Sequence, residues 1–491
     1  GSNQQQTQFR VLKINRLEPH ELDITEMKEV YSRKEIHTML TMIQAGNKGS
    51  GGLTKCVSAY GVIGFIRFLR GYYIHLITQI RKVGNFGGHI VYTIEDTALI
   101  PIPHPSVYSE ENNYMKKHPN PKYQGSKGKK KMIAEEQRYK TLFSVLDLTK
   151  KFYFSYTLDL SHTLQYTMTQ NRDGLAKPKK MYVWNEFLSK HMKEHLQYKC
   201  WHVSLIHGFF EQTNCCVYGR ILTLTLISRR SNKFAGTRYL KRGLNDKGCV
   251  ANEVETEQIL HDRFGGSSPL EGIYTSHVQL RASIPLSWTQ ESNAMVAKPA
   301  IVVPKVDPMH TATRLHFQDL FKRYGSPILA LNLVRQHERR PRESIIGSGF
   351  GLSIEFLNQF LAPEHQIDYY AWDFKRVSKS KNMSVVDELA VIAEWTLQRN
   401  GFFLSSHPLG SDPFPELSAV THNQAIDTMN IKPNRESLNN MKPRTRGLGQ
   451  VQKGICRCNC IDSLDRTNVA QFCMGRCALG HQLFALGVSN T

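Results

Sequence analysis

A chain of 491 residues, 40% hydrophobic and 21% charged, has the composition of a folded soluble protein rather than a disordered or fibrous one, with length for about two or three domains. Its 63 Lys and Arg against 42 Asp and Glu leave a formal charge of +21, which draws it to polyanions: nucleic acid, an anionic membrane face or a phosphorylated small ligand. The 10 cysteines are scattered except for Cys456, Cys458 and Cys460, which suits reduced thiols in the cytosol rather than a secreted disulfide framework.

Gly1 and Ser2 read as an expression scar, and no signal peptide follows. Residues 8–17 and 89–103 are predicted strands, and residues 24–45 a helix. The apolar stretch 60–80 carries Arg67 and Arg70, so it is not the run of about 20 mostly apolar residues that spans a bilayer. Residues 110–131 set repeated lysines, Lys116 to Lys131, among Asn, Pro, Gly and Ser, and are expected to form a mobile basic loop. Residues 150–166 alternate through Phe152, Phe154, Tyr156 and Leu158 like a strand. A polar gap at 169–180 then precedes Trp184, and the expected domains are 3–188 and 189–491. In the second, strands near 208–210, 217–227 and 328–334 alternate with helices near 315–324 and 385–400, which is an α/β pattern.

Residues 457–471, RCNCIDSLDRTNVAQ, carry the chemistry. Cys460 is followed by five residues and then Arg466. A loop of that length can turn its backbone N–H groups to one point, and Arg466 can reach the same point with a planar fork matched to phosphate oxygens. From Thr467 to Gly487 the sequence is helix-compatible, so the loop would end at a helix N-terminus, a natural anion site. Both features should lower the Cys460 pKa. Cys460 would then attack phosphorus and form a phosphocysteine, with Arg466 and the loop amides stabilising the developing charge. Asn459, Ile461, Ser463, Leu464, Asp465 and Thr467 complete this phosphate-binding loop. Asp462 is the favoured acid for the leaving alcohol, whereas Asp465 could cap the helix or orient Arg466. The scheme needs neither cofactor nor metal, and the Cys-x-Cys-x-Cys spacing with no nearby His is poor for zinc. Asn459 rather than His before the nucleophile, and no Gly in the loop, argue against a protein-tyrosine phosphatase.

The segment NCIDSLDRTN at 459–468 resembles the signature of Sac-domain phosphoinositide phosphatases. KFYFSYTLDLSHTLQ at 151–165, AGTRYLKRGLNDKGCVANEVETEQI at 235–259 and VQLRASIPLSW at 278–288 are similar to further motifs of that family, in order. Residues 9–32 and 470–487 are most similar to the Fig-four branch, which acts on phosphatidylinositol 3,5-bisphosphate at the 5-position. The resemblance implies an α/β fold in two parts. An N-terminal Sac subdomain of mixed sheet and helices precedes a catalytic α/β subdomain bearing the Cys-x5-Arg phosphate loop at a helix N-terminus. It implies Cys460 as nucleophile, Arg466 as phosphate clamp and Asp462 as acid. It also implies peripheral attachment to endosomal or vacuolar membranes, with a helical-repeat scaffold and a phosphoinositide kinase as partners. Ser463 stands where many relatives have a second Cys. Ala282 stands where relatives usually have Gly, with a small effect expected on a turn. Relatives continue beyond the helix after the loop, so the end at Thr491 reads as a truncation.

Among the basic clusters, Arg238, Lys241 and Arg242 are the expected groove residues for a bisphosphorylated headgroup, a solvated hairpin being the alternative. Glu255 and Glu257 are expected to form structural ion pairs. A basic run from Lys432 to Arg457 reads as a mobile loop that docks on an anionic leaflet. Residues 335–342, RQHERRPR, read as a solvated loop. Nucleic acid is not an expected partner, because no base-stacking aromatic motif accompanies the basic runs. A lipid-binding scaffold module with weak or partner-dependent activity is the alternative to an active enzyme.

Overall fold

A computed structural model describes residues 8–104, 125–169, 177–197, 199–236, 240–263, 272–290, 299–304, 307–381, 383–405 and 450–489. It separates into two units: one within Gly1–Lys82, Tyr92–Tyr156 and Asn185–Leu205, the other within Val83–Val91, Thr157–Trp184 and Ile206–Thr491. Both take chain from either side of residue 188. Among the described residues no helix is long and apolar enough to cross a membrane.

In the first unit the predicted helix at 24–45 divides. Residues Ile24–Glu26 (β2) pair antiparallel with Leu12–Ile14 (β1), and the helix runs only over Arg33–Gly46 (α1). Its start is set by a capping box: Glu35 N–H donates to the Ser32 hydroxyl, and the Glu35 carboxylate accepts from Ser32 N–H. The unit's sheet orders Gly61–Arg67 (β3), Tyr72–Phe86 (β4), His89–Pro101 (β5) and Phe152–Phe154 (β6) in sequence. The strand expected at 150–166 thus shrinks to β6, and Leu164–Thr169 is helical.

The expected basic loop at 110–131 is corrected where it is described: residues from 125 open a helix, Gly125–Ser144 (α2). Lys, Ala, Glu and Gln, all good helix formers, continue it. Buried Glu136 ties it to the sheet, accepting from the backbone N–H of Leu69 (2.8 Å) and Arg70 (3.1 Å) and from the Tyr73 hydroxyl (2.8 Å).

The second unit opens with four antiparallel strands: Ile206–Val217 (β7), Arg220–Arg230 (β8), Val254–Asp262 (β9) and Ile273–Ser283 (β10). A short ribbon, Thr289–Gln290 (β11) with Ile301–Val302 (β12), precedes α/β chain: Thr311–Tyr324 (α3), Ile328–Asn332 (β13), Glu343–Asn358 (α4), Asp368–Ala371 (β14) and Val385–Asn400 (α5). Phe403–Leu404 (β15) pairs with β10, Ile455–Cys460 (β16) follows, and Asp465–Ala485 (α6) ends the described fold. The sheet order is β7-β8-β9-β10-β16-β13-β14. The last strand in sequence therefore inserts between β10 and β13, parallel to both.

That insertion explains the burial of all six β16 residues. Side chains alternate across it. Cys456, Cys458 and Cys460 pack with Leu331, Trp372, Ile392 and Met474 between the sheet, α5 and α6. Ile455 joins the core of Phe317, Ile346 and Phe350 under α3 and α4. Ala282, expected at a turn, lies fully buried inside β10, opposite Asn459.

Candidate active site

Cys460 is the last residue of β16, and α6 begins at Asp465, so the reactive loop hangs from the carboxyl end of a central parallel strand. Open sheets place ligand crevices at such ends. The residue before α6, Leu464, makes no side-chain cap, so the first-turn N–H groups of the helix lack that partner. Thr467 is buried and ties its hydroxyl to the Leu464 carbonyl at 2.8 Å.

The loop curls back on the nucleophile. Ser463 N–H donates to Cys460 Sγ at 3.2 Å, and the Cys460 thiol donates to Asp462 Oδ1 at 3.3 Å. With no glycine available, the tight turn falls to Ser463, held at φ +55° in the left-handed region. Successive amides in such a bend form an anion-binding nest.

Against the expectation of a depressed thiol, Cys460 is pushed above its ordinary value. Burial of a fully enclosed side chain is the largest cause; Arg466 opposes it, and Asp462 adds to it. Arg466 holds a bidentate pair with Glu343, at 2.7 and 3.2 Å, and donates to the Leu333 carbonyl at 3.0 Å. Burial alone would lower the Arg466 pKa, but Glu343 outweighs it and raises it. Asp465 neither caps α6 nor holds Arg466, since the cap is Leu464 and the carboxylate partner is Glu343.

Asn459, expected to line the phosphate site, instead turns its carboxamide into a buried network on the other face of β16. It donates to Asn332 Oδ1 at 2.6 Å and accepts from Arg457 at 3.0 Å. Arg457 also reaches His316 Nε2 (3.0 Å) and the Ser283 carbonyl (2.6 Å). Burial holds His316 well below its usual pKa and pulls Arg457 down to about 10. Arg457 is thus a fully buried fold residue, not the end of a membrane-docking loop. The rest of that run, apart from Lys453, lies outside the described residues.

Of the expected groove residues, Arg238 also lies outside them. Exposed Lys241 stacks over Phe234, Nζ 4.9 Å from the ring centre. Arg242 is 5% exposed and donates to the Ile461 carbonyl of the loop at 2.8 Å. Glu255 and Glu257 do form buried ion pairs, both with Arg229, at 3.1 and 2.7 Å.

The sequence reading missed two residues at the loop. Arg281, on β10, donates to the Ser463 carbonyl. It lies in a noted motif, but only the register Ser283 opposite Cys460 brings it to the loop. Glu343 follows a cluster read as solvated. Arg339 and Arg340 there are indeed exposed, but Glu338 accepts from the backbone of Arg342 and Ser344, and so shapes the turn that delivers Glu343.

The described residues contain two donor sets that could hold a metal: His191, Glu194 and His195, and Glu394, Cys477 and His481. In the second, Glu394 already accepts from Cys477 (3.2 Å), His481 (2.8 Å) and Gln398 (2.9 Å), a satisfied hydrogen-bonded cluster. Neither set includes Cys456, Cys458 or Cys460.

Comparison with known proteins agrees with the motif reading. Residues 60–379 match the SacI homology domain model. The chain is 40% identical over 500 residues to the phosphoinositide phosphatase SAC4 of Arabidopsis thaliana, covering 98% of this chain and 57% of that one. It is 37% identical to the phosphatidylinositol-3-phosphatase SAC1 of the same plant, covering 100% and 54%. It is 36% identical to the polyphosphoinositide phosphatase of Schizosaccharomyces pombe, covering 100% and 52%. The chain spans just over half the length of these curated relatives. By domain match and by identity along nearly its whole length, the chain belongs to the SacI homology domain family.

Proposed function

We propose that this chain is a phosphoinositide phosphatase that removes the 5-phosphate of phosphatidylinositol 3,5-bisphosphate through a phosphocysteine. The observation that carries this reading is the loop itself: Cys460 at a strand end, an amide on its sulfur, Asp462 on its proton and Arg466 at the start of α6. Family membership supplies the substrate class, and similarity to the Fig-four branch supplies the ring position.

The chemistry closes on one proton. The Cys460 thiol gives its proton to Asp462, along the hydrogen bond already present. Sγ attacks phosphorus and forms an S–P bond; the P–O bond to inositol breaks, and Asp462 returns the proton to the leaving oxygen. Asp462, again a carboxylate, takes a proton from the water that attacks the phosphocysteine. The new O–P bond forms as the S–P bond breaks, inorganic phosphate leaves, and Asp462 hands its proton back to the Cys460 thiolate. Loop amides from Ile461 to Thr467 and the Arg466 fork stabilise the equatorial oxygens. Arg238 and Lys241 supply positive charge for the second phosphate, while Arg242 reaches the loop itself through the Ile461 carbonyl. The +21 net charge supports work at an anionic leaflet. On the family reading that leaflet is endosomal or vacuolar, and a helical-repeat scaffold and a phosphoinositide kinase are the partners.

The test is phosphate release from liposomes carrying each phosphoinositide in turn, with Cys460→Ser as control. Release from the 3,5-bisphosphate that vanishes in the variant is the expected result. Release chiefly from the 3-monophosphate keeps the mechanism and overturns the branch. No release by folded protein turns the reading to a lipid-binding scaffold module.

A further inference from the structure

The loop can serve an anion only if its peptide N–H groups face the sulfur, and something must hold the peptide planes that way. In a trans peptide the C=O of one residue and the N–H of the next point in opposite directions. Drawing a carbonyl outward therefore drives the following N–H inward. Two carbonyls of this loop are drawn outward, each by an arginine: that of Ile461 by Arg242 at 2.8 Å, and that of Ser463 by Arg281. The N–H groups in those two planes belong to Asp462 and Leu464. Ser463 N–H, between them, already donates to Cys460 Sγ.

We propose that Arg242 and Arg281 are positioning residues that orient two peptide planes of the reactive loop, so that the N–H groups of Asp462, Ser463 and Leu464 converge on Cys460 and on the phosphate it attacks. This rests on the phosphatase reading above and gives the two arginines a task other than touching the lipid. The backbone amides of Asp462 and Leu464 both act to lower the Cys460 pKa, as inward-facing N–H groups must.

Each arginine is itself held by the fold. Arg242 lies over the Trp288 ring, 5.8 Å from its centre, and Trp288 is buried. The next residue, Gly243, has φ +59°, and a Cβ there would fall 2.2 Å from the Leu286 carbonyl oxygen, so only glycine lets this segment approach so closely. Gly243 N–H donates to the Ser283 hydroxyl. Arg281 projects from β10 two residues before Ser283, the register partner of Cys460. The backbone of both arginines is thus anchored to the strand that flanks β16, Arg281 by lying on it and Arg242 through Gly243, and the loop they face turns at Ser463 in the left-handed region.

The test uses Arg242→Met and Arg281→Met, with their unfolding midpoints checked, and three readouts. Hydrogen exchange over residues 461–465 reports the planes directly; alkylation of Cys460 by iodoacetamide against pH reports the thiol; turnover on phosphoinositide liposomes reports chemistry. Exchange about tenfold faster, an alkylation profile displaced upward by about one pH unit, and a kcat about tenfold lower with a smaller change in KM are expected, the loss of one transition-state donor group being of this order or larger. Unchanged exchange with KM alone raised overturns the proposal, because the arginines would then be touching the headgroup. The exchange and alkylation results need no substrate. If they hold while the wild type releases no phosphate from any lipid, the loop device stands and the phosphatase reading falls.

Discussion

Arg229 lies between two carboxylates, Glu255 and Glu257, whereas Arg242 and Arg281, in the same unit, lie against carbonyl oxygens of the reactive loop. Arg229 and Arg242 are buried and Arg281 is half-buried, and the two groups use their charge differently. Carboxylates neutralise Arg229, which also donates to the carbonyls of Leu160 (2.6 Å) and His162 (2.8 Å), so its charge serves the fold. Arg242 and Arg281 donate instead to loop carbonyls, which carry no net charge to set against that of the guanidinium. Partner type, more than burial, separates a structural arginine from a site arginine here. Arg466 stands between the two kinds, bound to the Glu343 carboxylate and the Leu333 carbonyl at once.

The largest expected effect breaks the structural side. Arg229→Met leaves buried Glu257 without its cation and buried Glu255 with Lys179 as its remaining ion-pair partner, a change of about 3–5 kcal/mol. The burial that makes this costly acts on Glu255 itself. Its pKa falls to about 2 because Lys179 and Arg229 outweigh the opposing effect of enclosure. Urea denaturation of the variant should show a midpoint well below that of the wild type. A wild-type midpoint would mean that the cluster does not hold β8 and β9 together.

On the site side, Arg466→Lys keeps the charge and loses the planar fork. Turnover on phosphoinositide liposomes should fall about a hundredfold, the order of losing a preorganised transition-state donor, while the unfolding midpoint barely moves. Full turnover with lysine would remove the fork from the mechanism. Glu343→Gln sharpens the same point with a smaller effect. If Glu343 aims Arg466, kcat should drop about tenfold, in keeping with charge-assisted bonds worth about 1.5–3 kcal/mol, and KM should change less. If Glu343 instead competes with phosphate for the guanidinium, KM should fall and activity rise.

The loop and its two arginine groups were unequally legible in the sequence. Cys460, Asp462 and Arg466 stand out in the sequence by local spacing, and α6 by a run from Thr467 to Gly487 that holds no proline. Arg281 and Glu343 do not. They reach the loop only through the insertion of β16 between β10 and β13, a pairing of segments far apart in the chain that no local pattern encodes. Asn459 misled for a related reason. Its place beside the nucleophile is a matter of sequence, but strand alternation sends its side chain to the opposite face. The helix expected at 24–45 failed locally, because the capping box at Ser32 and Glu35 marks a later start that hydrophobic periodicity alone does not show. The thiol direction failed on burial, which spacing cannot report.

The smallest expected effect concerns a third cluster, half-exposed between α5 and α6, where Glu394 accepts from His481 and Cys477. The hydrogen bond from His481 is the largest cause that brings the Glu394 pKa from an ordinary 4.5 down to about 2, with partial burial opposing it. A carboxylate whose folded pKa is depressed adds stability above its unfolded value and loses it as pH falls through the folded one. The contribution should therefore be complete above about pH 4.5 and vanish towards pH 2, and solvent screening keeps it small. Comparing the unfolding midpoints of wild type and Glu394→Gln across that range checks the sign. The gap should be constant above pH 4.5 and close below it. A gap that ignores pH would mean that Glu394 acts through packing and hydrogen bonding alone, and would place this cluster with neither kind of charge-bearing group found deeper in the unit.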